Sequence, residues 1–180
     1  MESFETAFRK EANMIELEVL KHLGPFSRLN QAQLSKLQPK CEEIEFKAGD
    51  KLFTEGDDAR HLWVVKKGGV DLRFELPDRS PTSGQMTVDS FEVEEKEPEA
   101  KVFGWSCFVP PYRMRLSAYC ITRTCNIIRI PKPDLVKLFD EDPRIGYLFM
   151  SYMIQVVGYR FQQFRDHVAK NMGEDLMFGW

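Results

Sequence analysis

The stretch VFGWSCFVPPYRMRLSA, residues 102–118, decides how this chain is read. Phe103 and Gly104 close an extended run, and a glycine there lets a backbone approach a ligand closely. A short helical turn from Ser106 would aim the N–H groups of Gly104, Trp105, Ser106 and Cys107 at a negative charge. Pro110 and Pro111 stop that turn. Arg113 and Arg115 follow, and either guanidinium can grip a phosphate with two parallel hydrogen bonds. Ser117 and its small neighbours then lead back into a strand. Read alone, the segment is either an anion cradle or a tight corner carrying two surface arginines.

Outward from this stretch the period of the apolar residues is two. Ile44 and Phe46 alternate with charged residues. Residues 51–54, 61–66 and 70–76 are expected strands, the last with Val70, Leu72, Phe74 and Leu76 on one side. Residues 85–93, 116–123 and 125–130 complete the set. Short strands at even spacing, separated by glycine-bearing turns at Gly49, Gly56 and Gly68, indicate a mainly β fold rolled into a jelly roll. Residues 92–101, EVEEKEPEAK, form an acidic run broken by Pro98, read as a solvated loop or as a lid whose charge opposes an anionic ligand.

Helices flank the strands. Residues 2–22 carry an apolar stripe of Phe4, Phe8, Ile15 and Leu20, stopped by Gly24 and Pro25. Residues 29–38 form a short helix, with Asn30 and Gln33 spaced as a capping box. Residues 134–140 form another. Asp142 and Pro143 then open a long helix, expected over residues 144–170, with Asp142 as its cap. Its apolar face reads Ile145, Leu148, Phe149, Tyr152, Val156, Phe161, Phe164 and Val168. The tail ends in Leu176, Met177, Phe178 and Trp180, apolar groups expected to tuck onto the domain or onto a partner chain. The organisation expected is an N-terminal helix at 1–25, a β-roll at 26–140, and a C-terminal helix and tail at 141–180.

This pattern resembles the cyclic-nucleotide-binding domain family. Phe26, Leu29, Leu34 and Leu37 match the helix that opens the family's domain. Phe46, Gly49, Asp50, Phe53, Glu55 and Gly56 match its first strands and turns, and Gly69-Val70 matches its fourth strand. Phe103, Gly104, Pro111 and Ser117 follow the outline of its phosphate-binding cassette. The similarity spans residues 26–140. Two positions depart from it. Trp105 stands where the family has a glutamate that accepts a hydrogen bond from the ribose 2′-hydroxyl, and an indole cannot accept one. The arginines are also out of register, two and four residues after Pro111. A buried polar group deprived of its partner costs ~1–3 kcal/mol, so affinity for an ordinary cyclic nucleotide is expected to fall by about tenfold or more.

The resemblance implies a non-catalytic sensor or regulatory module for signal transduction. Its ligand would be a cyclic nucleotide, cAMP or cGMP, or another small anion. The ligand site would comprise Phe103, Gly104, Trp105, Ser106, Cys107, Arg113, Arg115 and Ser117, with Arg113 or Arg115 as the anchor. It implies that occupancy is transmitted through the C-terminal helix, which in the family crosses its twin in a homodimer. Packing against the N-terminal helix or another protein is the other use for that apolar face. The competing function is a ligand-independent interaction and dimerisation scaffold with the pocket closed by Trp105.

Other classes fit poorly. A net charge of −3 and a pI near 5.7 are not those of a dedicated nucleic-acid binder. About ten residues after the long helix are too few for the helix-turn-helix module of catabolite activator-type proteins, so no direct DNA binding is expected. His22, His61 and His167 have no metal-ligand spacing, and no nucleophile or phosphate-loop motif is present, so neither an enzyme nor a metal or other cofactor is expected. No apolar run is long enough to cross a bilayer, and the charged N-terminus is unlike a signal peptide, so a cytoplasmic protein is expected. Cys41, Cys107, Cys120 and Cys125 are read as reduced thiols. Cys120 and Cys125, an odd number apart, would face opposite ways on one continuous strand. Cys107, in the first turn of the cassette helix, is the one whose thiol a helix dipole could acidify.

Overall fold

A computed structural model describes residues 15–75, 85–92 and 102–178. The apolar stripe expected before Ile15, the acidic run after Val93, residue Leu76 and the terminal Trp180 lie outside them. Helices α1 (Leu17–His22) and α2 (Gln31–Leu37) precede eight strands. These are β1 (Glu42–Lys47), β2 (Lys51–Phe53), β3 (His61–Lys67), β4 (Gly69–Glu75), β5 (Gln85–Glu92), β6 (Val102–Phe103), β7 (Ser117–Cys120) and β8 (Thr124–Pro131). Helices α3 (Lys132–Glu141) and α4 (Pro143–Phe178) follow.

The strands form two antiparallel four-stranded sheets, in the orders β1-β8-β3-β6 and β2-β7-β4-β5. Except for the consecutive pair β4 and β5, neighbouring strands come from distant parts of the chain, as in a jelly roll. In β3, Leu62, Trp63, Val64 and Val65 are all buried. Successive residues point to opposite faces, so this sheet is covered on both sides. One cover is the second sheet: the Phe53 ring lies 5.6 Å from that of Trp63 and 5.9 Å from that of Phe103. The other is helical. Phe149 of α4 sits between Phe26 at 6.2 Å and Phe139 at 5.1 Å, and Ile145, Met153 and Val156 extend the same buried face.

Two helix starts, those of α2 and α4, are built from side-chain caps. Asn30 accepts from the Gln33 N–H at 2.9 Å, while Gln33 Oε1 accepts from the Asn30 N–H at 3.1 Å. The Gln33 amide then donates to Asp142 at 3.1 Å, and the other Asp142 oxygen accepts from the Arg144 N–H at 3.1 Å. One side chain thus ties the start of α2 to the start of α4.

Three expectations are corrected. In β4, Val70 and Leu72 are buried but Phe74 is 39% exposed. The pairing of β4 with β5 shifts register between Leu72 and Arg73, and such a slip upsets the alternation. In α4, Phe161 and Phe164 are exposed: Phe161 lies off the face of Ile145 and Phe149, Phe164 lies in line with Met153 but three turns further on, and Met153 takes a place on the buried face. Cys120 and Cys125 are paired as a disulfide, with their Cα atoms 6.0 Å apart. They lie on different strands, β7 and β8, joined by a turn, so parity along a single strand does not govern them. Cys41 and Cys107 are free thiols. Among the described residues no helix is long and apolar enough to cross a membrane.

Candidate functional site

Strand β6 delivers Val102 and Phe103, both fully buried, to the turn at Gly104. Gly104 has φ 73° and ψ 17°, in the left-handed region. Space as well as conformation demands glycine there. A Cβ would lie 2.5 Å from Trp63 Cδ1 and 3.1 Å from the His61 carbonyl oxygen. A single 3₁₀ turn, Trp105–Phe108, follows. Within it the Cys107 N–H donates to the Gly104 carbonyl at 3.1 Å, and the Val109 N–H to the Ser106 carbonyl at 3.2 Å. The Cys107 N–H is therefore engaged by the turn itself. Burial pushes the Cys107 thiol up to about 12, against a smaller lowering by Lys132. The expected acidification does not occur, because one 3₁₀ turn carries little dipole and desolvation outweighs it. Burial pushes Cys41 up to about 12 as well.

The arginines lie after the proline corner. Tyr112 takes a positive φ of 59°, and residues 112–114 pair with the loop before β3. The Ala59 N–H donates to the Tyr112 carbonyl, the Met114 N–H to the Asp57 carbonyl, and the Gly56 N–H to the Met114 carbonyl, at 2.8, 2.8 and 2.9 Å. Arg113 sits on this clamp, with its guanidinium 3.0 Å from Asp58 and donating to the Gly56 carbonyl at 3.0 Å. Its side chain is 56% exposed. The Arg60 hydrogen bond, then the charge of Arg113, hold the Asp58 carboxyl below its usual range. Arg115 is exposed. Ser117 is completely buried, and its Oγ accepts from the Glu55 N–H at 2.9 Å. Its own O–H remains able to donate. Trp105 is partly buried and packs on the hydrophobic core.

Phe103, Gly104, Trp105, Ser106 and Cys107 thus form one continuous turn at the edge of the first sheet, and Ser117 lies at the start of β7 in the second. Three features escape a reading of the sequence. Asp58 is the counter-ion of Arg113. Phe108, the last residue of the turn, packs edge-on against Phe149 of α4 at 5.8 Å. Arg160 of α4 donates to the Val102 carbonyl at 2.7 Å, two residues before Gly104. A signal for Arg160 does exist: it lies four residues after Val156 and seven after Met153, in step with the buried face of its helix. Helix α4 therefore touches the turn at both ends. Among the described residues no cluster of three or more His, Cys, Asp or Glu is placed to hold a metal ion.

No protein-family model matches the chain, and no curated protein matches it. Solved structures do. A putative cyclic nucleotide-binding protein from Geobacter metallireducens GS-15 is 26% identical, with a TM-score of 0.66 over 82% of this chain and 99% of that one. The catabolite activator protein of Thermus thermophilus is 16% identical, with a TM-score of 0.60 over 86% of this chain and 62% of that one. The regulatory domain of Toxoplasma gondii PKA, solved with cAMP, is 16% identical, with a TM-score of 0.54 over 68% of this chain and 42% of that one.

Proposed function

We propose that this chain, which shares its fold with cyclic-nucleotide-binding domain proteins, is a non-catalytic regulatory module that binds a cyclic nucleotide, or a similar small anion, at residues 103–117 and passes occupancy to α4. The observation that carries this reading is the double attachment of α4 to the turn, through Phe149 on Phe108 and Arg160 on Val102. A ligand that moved the turn would change both contacts, and so would bias α4 between two packings. Arg115 is the anion anchor in this reading. Arg113 would have to give up its ion pair with Asp58 before it could serve. Ser117 supplies a hydroxyl donor. Trp105 offers an aromatic face to a base in place of the family's carboxylate.

Calorimetry with cAMP and with cGMP tests this. Saturable binding that Arg115→Ala abolishes and Arg113→Ala leaves in place is the expected result. Heat that neither substitution alters, or no heat with either nucleotide, would refute it.

The second reading is a dimerisation scaffold, favoured by the outer face of α4. Tyr147, Ile154, Phe161 and Phe164 are 68%, 72%, 66% and 58% exposed, and a Cβ on Gly158 would meet nothing within 4 Å. Tyr147, Ile154, Gly158 and Phe161 lie opposite the buried face, and this stripe suits a second copy of the same helix, with its close approach at Gly158. Sedimentation of the wild type as a dimer and of Phe161→Asp as a monomer is expected. A monomeric wild type at micromolar concentration would dispose of this reading.

A further inference from the structure

Three separate segments meet in one exposed face beside the candidate site: residues 109–113 after the 3₁₀ turn, residues 58–60 before β3, and the first turn of α3. Val109, Tyr112 and Val136 are 46%, 44% and 39% exposed, and they are neighbours. The Tyr112 N–H donates to the Val109 carbonyl at 2.9 Å. The Lys132 ammonium lies 3.6 Å from the centroid of the Tyr112 ring, and Val136 follows one turn on from Lys132 along the same side of α3. Pro110 and Pro111 are exposed as well. Single apolar side chains in water need no explanation, but a contiguous group does. Tyr112 also holds φ at 59°, a costly conformation for an aromatic residue.

The rim of this group is basic. Arg60 and Arg113 border it together with Lys132, and Asp58 sits between the two arginines, 2.9 and 3.0 Å from them. The Lys132 N–H donates to the Arg60 carbonyl at 2.9 Å, which holds α3 against this loop. The carboxylates next in sequence are engaged elsewhere: Asp57 accepts from the Thr54 N–H at 2.8 Å, and Asp134 faces Lys40 at 3.7 Å. Three cations around one carboxylate make a positive face on a chain whose net charge is −3.

We infer that this face docks an acidic segment of a partner protein, with one aromatic or apolar side chain laid against Val109, Tyr112 and Val136 and carboxylates on Lys132, Arg60 and Arg113. An apolar centre inside a polar rim is the anatomy of a protein interface. Charge decides the class of partner. A bilayer or a nucleic acid presents an extended polyanion that the negative charge of the whole chain repels, whereas a short acidic segment meets the positive face alone. The face is separate from Arg115 and Ser117, so the inference does not depend on nucleotide binding.

Fluorescence anisotropy of the full chain with a labelled peptide, Glu-Glu-Phe-Glu-Asp-Glu, tests this. Saturable binding that weakens at high salt is expected, with none for the counterpart Lys-Lys-Phe-Lys-Lys-Lys. Tyr112→Gly removes the ring and leaves a residue suited to positive φ. Lys132→Glu reverses a charge at the first position of α3, where the helix dipole favours an acidic residue. Each variant should bind the acidic peptide at least about fivefold more weakly. On the ¹⁵N-labelled wild type, the peptide should move the amide resonances of residues 58–60, 112–113 and 132–136, and this map decides the matter if a variant fails to fold. No binding, binding that both variants leave unchanged, or a map that falls elsewhere would overturn the inference. Sedimentation with vesicles of phosphatidylserine and phosphatidylcholine, in place of peptide binding, would make the face a membrane contact and overturn it too.

Discussion

Gly104→Ala measures how tightly the turn is held, independently of any ligand. Alanine at φ 73° carries the left-handed penalty of an L-residue, roughly 1–2 kcal/mol. The added methyl also meets Trp63 Cδ1 at 2.5 Å and the His61 carbonyl oxygen at 3.1 Å. Neither obstacle moves freely, since one is a ring packed in a buried box and the other is strand backbone. Overpacking of this kind costs about 1–3 kcal/mol, so the total is about 2–5 kcal/mol. Gly49 is the control. It has φ 86° with nothing within 4 Å of a Cβ, so Gly49→Ala should pay only the conformational part. Urea denaturation of the two variants isolates the packing contribution as their difference, expected at about 1–3 kcal/mol. If the two variants lose the same stability within error, the close approach of β3 to the turn is not there, and the placement of Trp63 beside Gly104 must be abandoned.

The other predictions concern the same layers. Phe149→Ala removes a ring shared by Phe26, Phe108 and Phe139, and should cost about 3–5 kcal/mol in denaturant titrations. Native protein at pH 8 should react with neither Cys41 nor Cys107, because burial raises both thiols to about 12; unfolded without reductant, it should expose only those two to a thiol reagent. Asp142 and Asp58 have depressed folded-state values, the first chiefly through the Gln33 hydrogen bond and the second chiefly through Arg60. Their stabilisation is therefore complete above the ordinary carboxylate pKa of about 3.9 and is lost as pH falls through the lower folded values. Acid denaturation of Asp142→Asn should show a shallower pH dependence below about pH 4, and an unchanged profile would remove Asp142 from the account. Arg160→Ala should speed hydrogen exchange around residues 102–108, since it removes a charge-assisted bond between α4 and β6.

The order of strands and helices was legible in the amino-acid sequence because each depends on local pattern. Alternation over short runs and glycines at the turns mark β1–β4 and β7–β8, and the Asn30–Gln33 spacing and Asp142-Pro143 mark two helix starts. Phe103, Gly104 and the proline corner announced a tight turn for the same reason: left-handed backbone selects glycine, and that selection is written at one position. Contacts between residues far apart in the chain leave no such mark. Nothing near Arg113 says that its counter-ion is Asp58, because an isolated bridge between two loops brings them together. Parity cannot pair Cys120 with Cys125, since the turn between β7 and β8 breaks the strand on which parity is counted. Apolar spacing alone merged two faces of α4 into one; only the packing of Phe149 and Val156 separates the buried face from the exposed stripe of Ile154 and Phe161. The local chain specifies the turn, and the tertiary fold decides what surrounds it: a buried, unpartnered indole N–H from β3 and the guanidinium of Arg160 on the Val102 carbonyl.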